Sequence, residues 1–296
     1  RHTRYWRDWS SDVCSSDLLS PILPPNRQAE KDQAGDSGSE ERALKFDQTV
    51  PLAAYIARHL NAINFPFARY QMDVVFRGER AKDGRFRQFR QCDIDVVGRG
   101  KLSLLYDAQI PAIIAEIFES IKIGDFIIRI NNRKVLTGFF ASVGVAAENI
   151  VSCIRIVDTA EKVGEVKVKK ALKEIGLSEA QVDKVWEFTN IKGSVDDVLY
   201  ELKSMTETCD NSDVLSQGIS ELETVIYGVR NLGVSEQRFC IDLSIARGLD
   251  YYTGTVYETT LIGHEALGSI CSGGRYEEIA KNREESGFGS DVGCTT

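Results

Sequence analysis

Along residues 50–60, VPLAAYIARHL, apolar side chains recur at helical spacing beside a proline, which predicts a short helix. ARYQMDVVF (68–76) and FRQFRQCDIDVVG (86–98) read as two strands of a hairpin. Its turn is AKDGR (81–85), with Gly84 supplying the bend. DAQIPAIIAEIFESI (107–121) predicts a helix that tolerates Pro111 near its first turn; DFIIRIN (125–131) predicts a strand, and KVLTGFFASVG begins another helix. The texture then changes. VKKALKEIGLSEAQVDKVWEFTN, DDVLYELKSM and SDVLSQGISELETVIYGVRNLG all repeat at helical period, whereas QRFCIDLSIARG, YYTGTVYETTLI and GSICSGG return to strands. The pattern predicts an α+β fold: a mainly antiparallel sheet interrupted by a mostly helical insertion. The expected divisions are a non-native-looking segment at 1–40, a sheet domain begun at 41–145, a helical insertion at 146–235, and the sheet domain resumed at 236–296. The C-terminal SGFGSDVGCTT is expected to add neither helix nor strand.

Within 86–98 the side chains alternate. Arg87, Phe89, Gln91, Asp93 and Asp95 share one face, while Phe86, Gln88, Arg90, Cys92, Ile94 and Val96 share the other, which turns apolar at its far end and reads as core. Charge sharpens this picture. The chain carries a net charge of −8, yet six basic and two acidic residues stand between Arg77 and Arg90. The overall balance argues against broad adhesion to DNA or membranes, so the basic cluster calls for a local partner. Arginine forks suit phosphates, a phenylalanine covers a base, and a carboxylate holds a cationic or N–H group. A nucleoside triphosphate beside an amino compound fits. A solvated, salt-bridged hairpin fits the charge pattern equally, and an RNA backbone is a third reading.

Two later stretches add candidates. RGLDYYTGTVYE (247–258) sets Arg247 ahead of paired tyrosines, and CSGGRY (271–276) sets a glycine pair before Arg275 and Tyr276, as if for close backbone approach to a ligand. The seven cysteines form no CxxC pair and there are three histidines, so zinc spacing is absent and a reducing, cytoplasmic setting is expected. Cys92, Cys153, Cys240 and Cys271 read as small buried hydrophobes. No GxGxxG or GxxxxGK[ST] motif occurs, and no apolar run is long enough for a membrane helix. RHTRYWRDWSSDVCSSDLL has neither period; it resembles translated sequencing-adapter DNA, and residues 1–40 are expected to be disordered.

With these residues in view, the chain resembles the histidyl-tRNA synthetase family of class II aminoacyl-tRNA synthetases over residues 42–280. FRGER…RFRQF is similar to class II motif 2, RGLDYYTGTVYE and GGRY to the two histidine-specific signatures, and LKFDQTVPLA to the substrate-binding turn. The helical stretch resembles the family's insertion domain. The resemblance implies ATP-dependent activation of L-histidine to histidyl-adenylate, with Mg2+, followed by transfer to tRNA(His) by a cytoplasmic homodimer. It assigns Arg77 to the ATP α-phosphate and adenylate, Glu79 to the adenine amino group and Arg85 to the outer phosphates. Phe89 stacks on adenine, and Gln91 touches the α-phosphate and amino acid. Asp47 and Thr49 take the α-amino group. Asp95, where many members carry glutamate, accepts from the imidazole N–H. Arg247 is the catalytic arginine, and Tyr252 and Tyr276 line the imidazole pocket. Asp93 is left outside the site as a partner for a neighbouring arginine.

The resemblance also sets expectations of departure. Motif 1 belongs where residues 1–40 stand, motif 3 is expected after GGRY, and an anticodon-binding domain is expected beyond it, so the chain reads as a fragment. Gln48 stands where the family often has a smaller or apolar residue. Alternatives are the synthetase-like regulatory subunit of ATP phosphoribosyltransferase and a non-catalytic RNA-binding relative. Retention of Arg77, Arg85, Phe89, Gln91 and Arg247 weighs against both.

Overall fold

The computed structural model describes residues 19–20, 43–78, 84–208, 213–245, 252–276 and 292–295. Almost all of 1–40, together with Glu79, Arg80, Arg247 and Tyr251, lies outside the described residues. Two compact units divide at Asp95/Val96.

In the first unit a two-residue strand, β1 (Leu19–Ser20), pairs antiparallel with β2 (Ala43–Leu44). Helix α1 (Thr49–His59) buries Leu52 and Ile56 and carries Arg58 in its last turn, where its charge suits the carbonyl end of the helix. The exposed His59 ring lies 4.6 Å from Tyr55. Strands β3 (Phe67–Phe76) and β4 (Gln88–Arg99) form the hairpin, closed by Arg77 N–H donating to Arg87 O at 2.8 Å. Gly84 supplies the turn with φ of 73°, a conformation open to glycine.

This hairpin inverts the usual amphipathic order. Ala68, Tyr70 and Met72 of β3, and Gln88, Arg90 and Cys92 of β4, are exposed. The more covered positions are Arg69, Gln71 and Asp73, and Phe89, Gln91, Asp93 and Asp95. Cys92 is therefore exposed, correcting its reading as a buried hydrophobe; Cys153 is buried, and Cys240 and Cys271 are half-buried.

In the second unit the sheet runs from the end of β4 through β9 (Val292–Thr295), β8 (Ser269–Tyr276), β7 (Tyr252–Leu261) and β5 (Phe126–Asn132) to β6 (Phe239–Ile241). All pairs are antiparallel except β5 with β6. Strand β9 corrects the expectation that the C-terminal stretch adds no strand: Val96 pairs with Thr295 on one side and Tyr276 with Cys294 on the other.

Helix α2 (Leu105–Ser120) is tied to this sheet by a buried polar knot. Pro111 lacks an N–H, so the Asp107 carbonyl four residues earlier loses its helical donor. The Tyr257 hydroxyl replaces it, donating at 2.6 Å. The Asp107 carboxylate accepts from Arg275 Nη2 at 2.6 Å, Arg275 Nε at 3.0 Å and Thr255 Oγ1 at 2.8 Å. Burial pushes the Asp107 carboxyl up while the Arg275 guanidinium pulls it back.

Among the described residues, six helices follow α3 (Arg133–Ser142): α4 (Ala147–Val157), α5 (Ala160–Val163), α6 (Glu165–Glu174), α7 (Glu179–Thr189), α8 (Val195–Thr208) and α9 (Asp213–Asn231). A capping box of Ser178 and Gln181 starts α7. Phe139 of α3 stacks on Phe188 of α7 with centroids 3.7 Å apart. Helices α3 and α9 meet backbone to backbone through glycine. A Cβ on Gly138 would stand 2.4 Å from the Leu215 nitrogen, and one on Gly218 would stand 2.6 Å from the Val135 nitrogen.

Candidate active site

The covered face of the hairpin in the first unit brings together Arg77, Phe89, Gln91 and Asp95 of the residues singled out from sequence. Arg77 is the centre. Its Nε donates to Phe46 O at 3.2 Å, its Nη2 donates to Gln91 Oε1 at 2.7 Å, and its guanidinium carbon lies 5.2 Å from the Phe89 ring centroid. Gln91 Nε2 in turn donates to both Asp93 oxygens, at 3.0 and 2.9 Å. An arginine, an aromatic ring and an oriented amide thus stand in one line, as a nucleotide phosphate and base would require.

The turn 45–49 covers this line. Asp47 is 3% exposed and its Oδ1 accepts from Val50 N–H at 3.3 Å; its Oδ2 is buried with no hydrogen-bond partner among the described residues. Burial raises the Asp47 carboxyl above its ordinary range, Asp93 adds to the rise, and Arg77 and backbone N–H groups oppose it. Asp93 is also raised, chiefly by burial, against the pull of Gln91, Arg69, Arg77 and Lys45. Thr49 is buried beside Asp47 at the start of α1. Lys45, buried, donates to Asp73 at 2.6 Å, and that contact lowers the Asp73 carboxyl.

Gln48 is explained by its contacts. It is fully buried, and its Nε2 donates to Gln91 O at 2.7 Å, fastening the turn to β4. At the far end of the line Asp95 is 1% exposed, with Oδ2 2.8 Å from Arg69 Nη2. The contact is an ion pair. Arg85 is half-buried near the turn, and Glu79 lies outside the described residues.

In the second unit Tyr252 and Tyr276 are register partners on β7 and β8, buried, with ring centroids 6.3 Å apart in a tilted-edge arrangement. The glycine before Arg275 has a different use from the one expected. A Cβ on Gly274 would meet Thr255 O at 2.5 Å and the Tyr252 ring at 2.9 Å, so its space is filled by β7 and not left for a ligand. Arg275 is committed to Asp107. Arg247 lies outside the described residues.

Sequence reasoning missed Arg69 and Lys45 and set Asp93 aside. The signal available was the alternation of β3: Arg69, Gln71 and Asp73 occupy one face, matching the polar face of β4.

The histidyl-tRNA synthetase family pattern matches residues 29–293, nearly nine-tenths of the chain. The chain belongs to the histidyl-tRNA synthetase family. It is 70% identical over 280 residues to histidine–tRNA ligase of Nostoc sp. (strain PCC 7120), covering 94% of this chain and 61% of that protein. The Clostridium tetani histidine–tRNA ligase is 47% identical over 263 residues, covering 88% and 59%. The crystal structure of histidyl-tRNA synthetase from Nostoc sp. PCC 7120 superposes with a TM-score of 0.80 at 61% identity, over 94% of this chain and 59% of that one. The mixed α/β fold is thus that of the class II histidyl-tRNA synthetase catalytic domain. An ATP phosphoribosyltransferase regulatory subunit/histidyl-tRNA synthetase from Bacillus halodurans shares the fold, with a TM-score of 0.70 at 16% identity. The chain spans about three-fifths of the length of the curated synthetases it matches.

Proposed function

We propose that the chain carries the adenylation chemistry of a histidine–tRNA ligase: ATP and L-histidine give histidyl-adenylate and pyrophosphate, and the histidyl group passes to the terminal ribose of tRNA(His). The observation that carries this reading is the line Phe89–Arg77–Gln91 on the covered face of the hairpin, ending at buried Asp95. In the first step a histidine carboxylate oxygen bonds to the α-phosphorus and the bond to the pyrophosphate oxygen breaks. The nucleophile is already ionised, so the site needs alignment and charge compensation rather than a strong base.

Arg77 holds the α-phosphate, Phe89 stacks on adenine, Glu79 takes the adenine amino group and Arg85 the outer phosphates. Gln91, its amide oriented by Arg77 and Asp93, touches the α-phosphate and the amino acid. Asp47 and Thr49 receive the α-ammonium; the buried Asp47 Oδ2, which has no hydrogen-bond partner among the described residues, is an acceptor that a cationic amine would fill. Asp95 accepts from the imidazole N–H. Arg247 adds charge at phosphorus, and Tyr252 and Tyr276 belong to the imidazole pocket.

Mg2+ is included as the neutralising ion of the triphosphate. Among the described residues no group of three or more His, Cys, Asp or Glu is placed to hold a metal, and no step is routed through the ion. A cytoplasmic homodimer, and the division into a sheet domain at 41–145 and 236–296 with an insertion at 146–235, belong to the same proposal. Among the described residues no helix is long and apolar enough to cross a membrane. Incubation with ATP, Mg2+ and histidine is expected to yield histidyl-adenylate, detected by mass, from the wild-type chain and not from Arg77→Ala. Adenylate formed equally by the variant would overturn the assignment.

A further inference from the structure

Arg69 has no role assigned toward ATP, yet its side chain is only 9% exposed. Three contacts hold it. Nη2 lies 2.8 Å from Asp95 Oδ2, the same Nη2 donates to the Gln48 carbonyl at 3.1 Å, and Nη1 donates to Gln71 Oε1. Gln48 sits between Asp47 and Thr49, and its carbonyl and the Asp95 carboxylate meet at the same Nη2 of Arg69. A single planar, permanently charged group therefore connects the turn that carries the ammonium-binding residues to the strand that carries the imidazole-reading carboxylate.

We propose that Arg69 is a positioning residue for amino-acid selection: it holds the Asp95 carboxylate and fixes its distance from the Asp47–Thr49 turn. This rests on the histidine reading of the site given above. The Asp95 side chain is 0% exposed, and the guanidinium charge 2.8 Å away compensates the burial of its carboxylate. An amino acid is measured between its ammonium and its ring, and one nitrogen of Arg69, Nη2, touches both receptors while Gln71 anchors the guanidinium through Nη1. Lysine at this position retains the charge but not the planar group anchored by Gln71, so it separates the two parts of the role.

The test is calorimetric binding of histidine, and separately of ATP with Mg2+, to the whole 296-residue chain. Wild type is compared with Arg69→Gln, Arg69→Lys, Asp95→Asn and the double variant Arg69→Gln/Asp95→Asn. Arg69→Gln is expected to weaken histidine about tenfold or more, the scale of one lost charge-assisted contact, and to leave ATP within about twofold. Arg69→Lys should recover part of the loss. The double variant should bind histidine no worse than Asp95→Asn, because Arg69 acts through Asp95. If Arg69→Gln fails to fold, the double variant, with both buried charges removed, still supplies the comparison. Histidine affinity unchanged in Arg69→Gln while Asp95→Asn weakens it would overturn the inference. So would equal losses for histidine and ATP, or losses that add in the double variant. If the wild-type chain and Asp95→Asn alike bind histidine no better than alanine, the histidine reading itself fails and the role of Arg69 falls with it.

Discussion

Asp47 and Asp93 are carboxylates held largely out of water and close enough for the charge of Asp93 to raise Asp47. Both are shifted upward, chiefly by burial, so the folded chain takes up these protons at higher pH than the unfolded chain. Their stabilising contribution is complete below the ordinary aspartate value, about 3.9, and is lost as pH rises through the raised folded value. Ionisation at neutral pH therefore costs stability. Asp47→Asn keeps an oxygen for the Val50 N–H and is predicted to unfold at higher temperature than wild type at neutral pH. The gap should close as pH falls toward the aspartate range, and thermal melts across pH measure it. A gap that widened toward acid would contradict the burial account. At this scale sequence gave residue types but not partners. Asp93 and Asp95 were visible as two carboxylates on one face, but which one meets an arginine depended on β3 and the 45–49 turn. The pairing of Asp95 with Arg69 crosses two strands and leaves no local signature.

Helices α3 and α9 cross with no Cβ between them at two points, so their contact is set by glycine. Gly218→Ala would drive a methyl to within 2.6 Å of backbone, which flexible side chains cannot relieve. It is predicted to destabilise by about 1–3 kcal/mol, read by denaturant unfolding, the range for overpacking a tight contact. The Pro111–Tyr257 arrangement gives a sharper test. Tyr257→Phe strips the Asp107 carbonyl of its donor at a cost of about 1–3 kcal/mol. Pro111→Ala restores a helical N–H to that carbonyl, so the cost of Tyr257→Phe should shrink in the Pro111→Ala background. Equal costs in both backgrounds would mean that the hydroxyl does not stand in for the helix bond.

Many helices were legible because their apolar period is strong, as in α4 and α9. Strand β9 was not: its four residues follow a glycine-rich stretch, and its pairing depends on β4 and β8. The hairpin was legible as two strands, yet the direction of its covered face was only half so. The far end is core at Val96, but nearer the turn the polar residues are the covered ones.

For the whole molecule, composition set only limits. A net charge of −8 with a confined basic hairpin pointed to a local anionic ligand rather than a nucleic-acid coat. The order of motif-like segments along the chain carried the family assignment, because each segment fixes residues far apart in sequence. What stayed illegible were the buried ion pairs that hold the elements together: Asp107 with Arg275, and Asp95 with Arg69. Such pairs follow from tertiary contact rather than from any period along the chain.

The central claim is that this chain activates histidine on ATP through the Arg77 face. The most direct measurement is amino-acid-dependent exchange of labelled pyrophosphate into ATP by the 296-residue chain, run with histidine, with a panel of other amino acids and with Arg77→Ala. The account predicts exchange with histidine alone, reduced at least about a hundredfold in Arg77→Ala, as expected for loss of a charge aligned with the reacting phosphate. Exchange that ignores the amino acid, survives in Arg77→Ala or does not occur with histidine would contradict it.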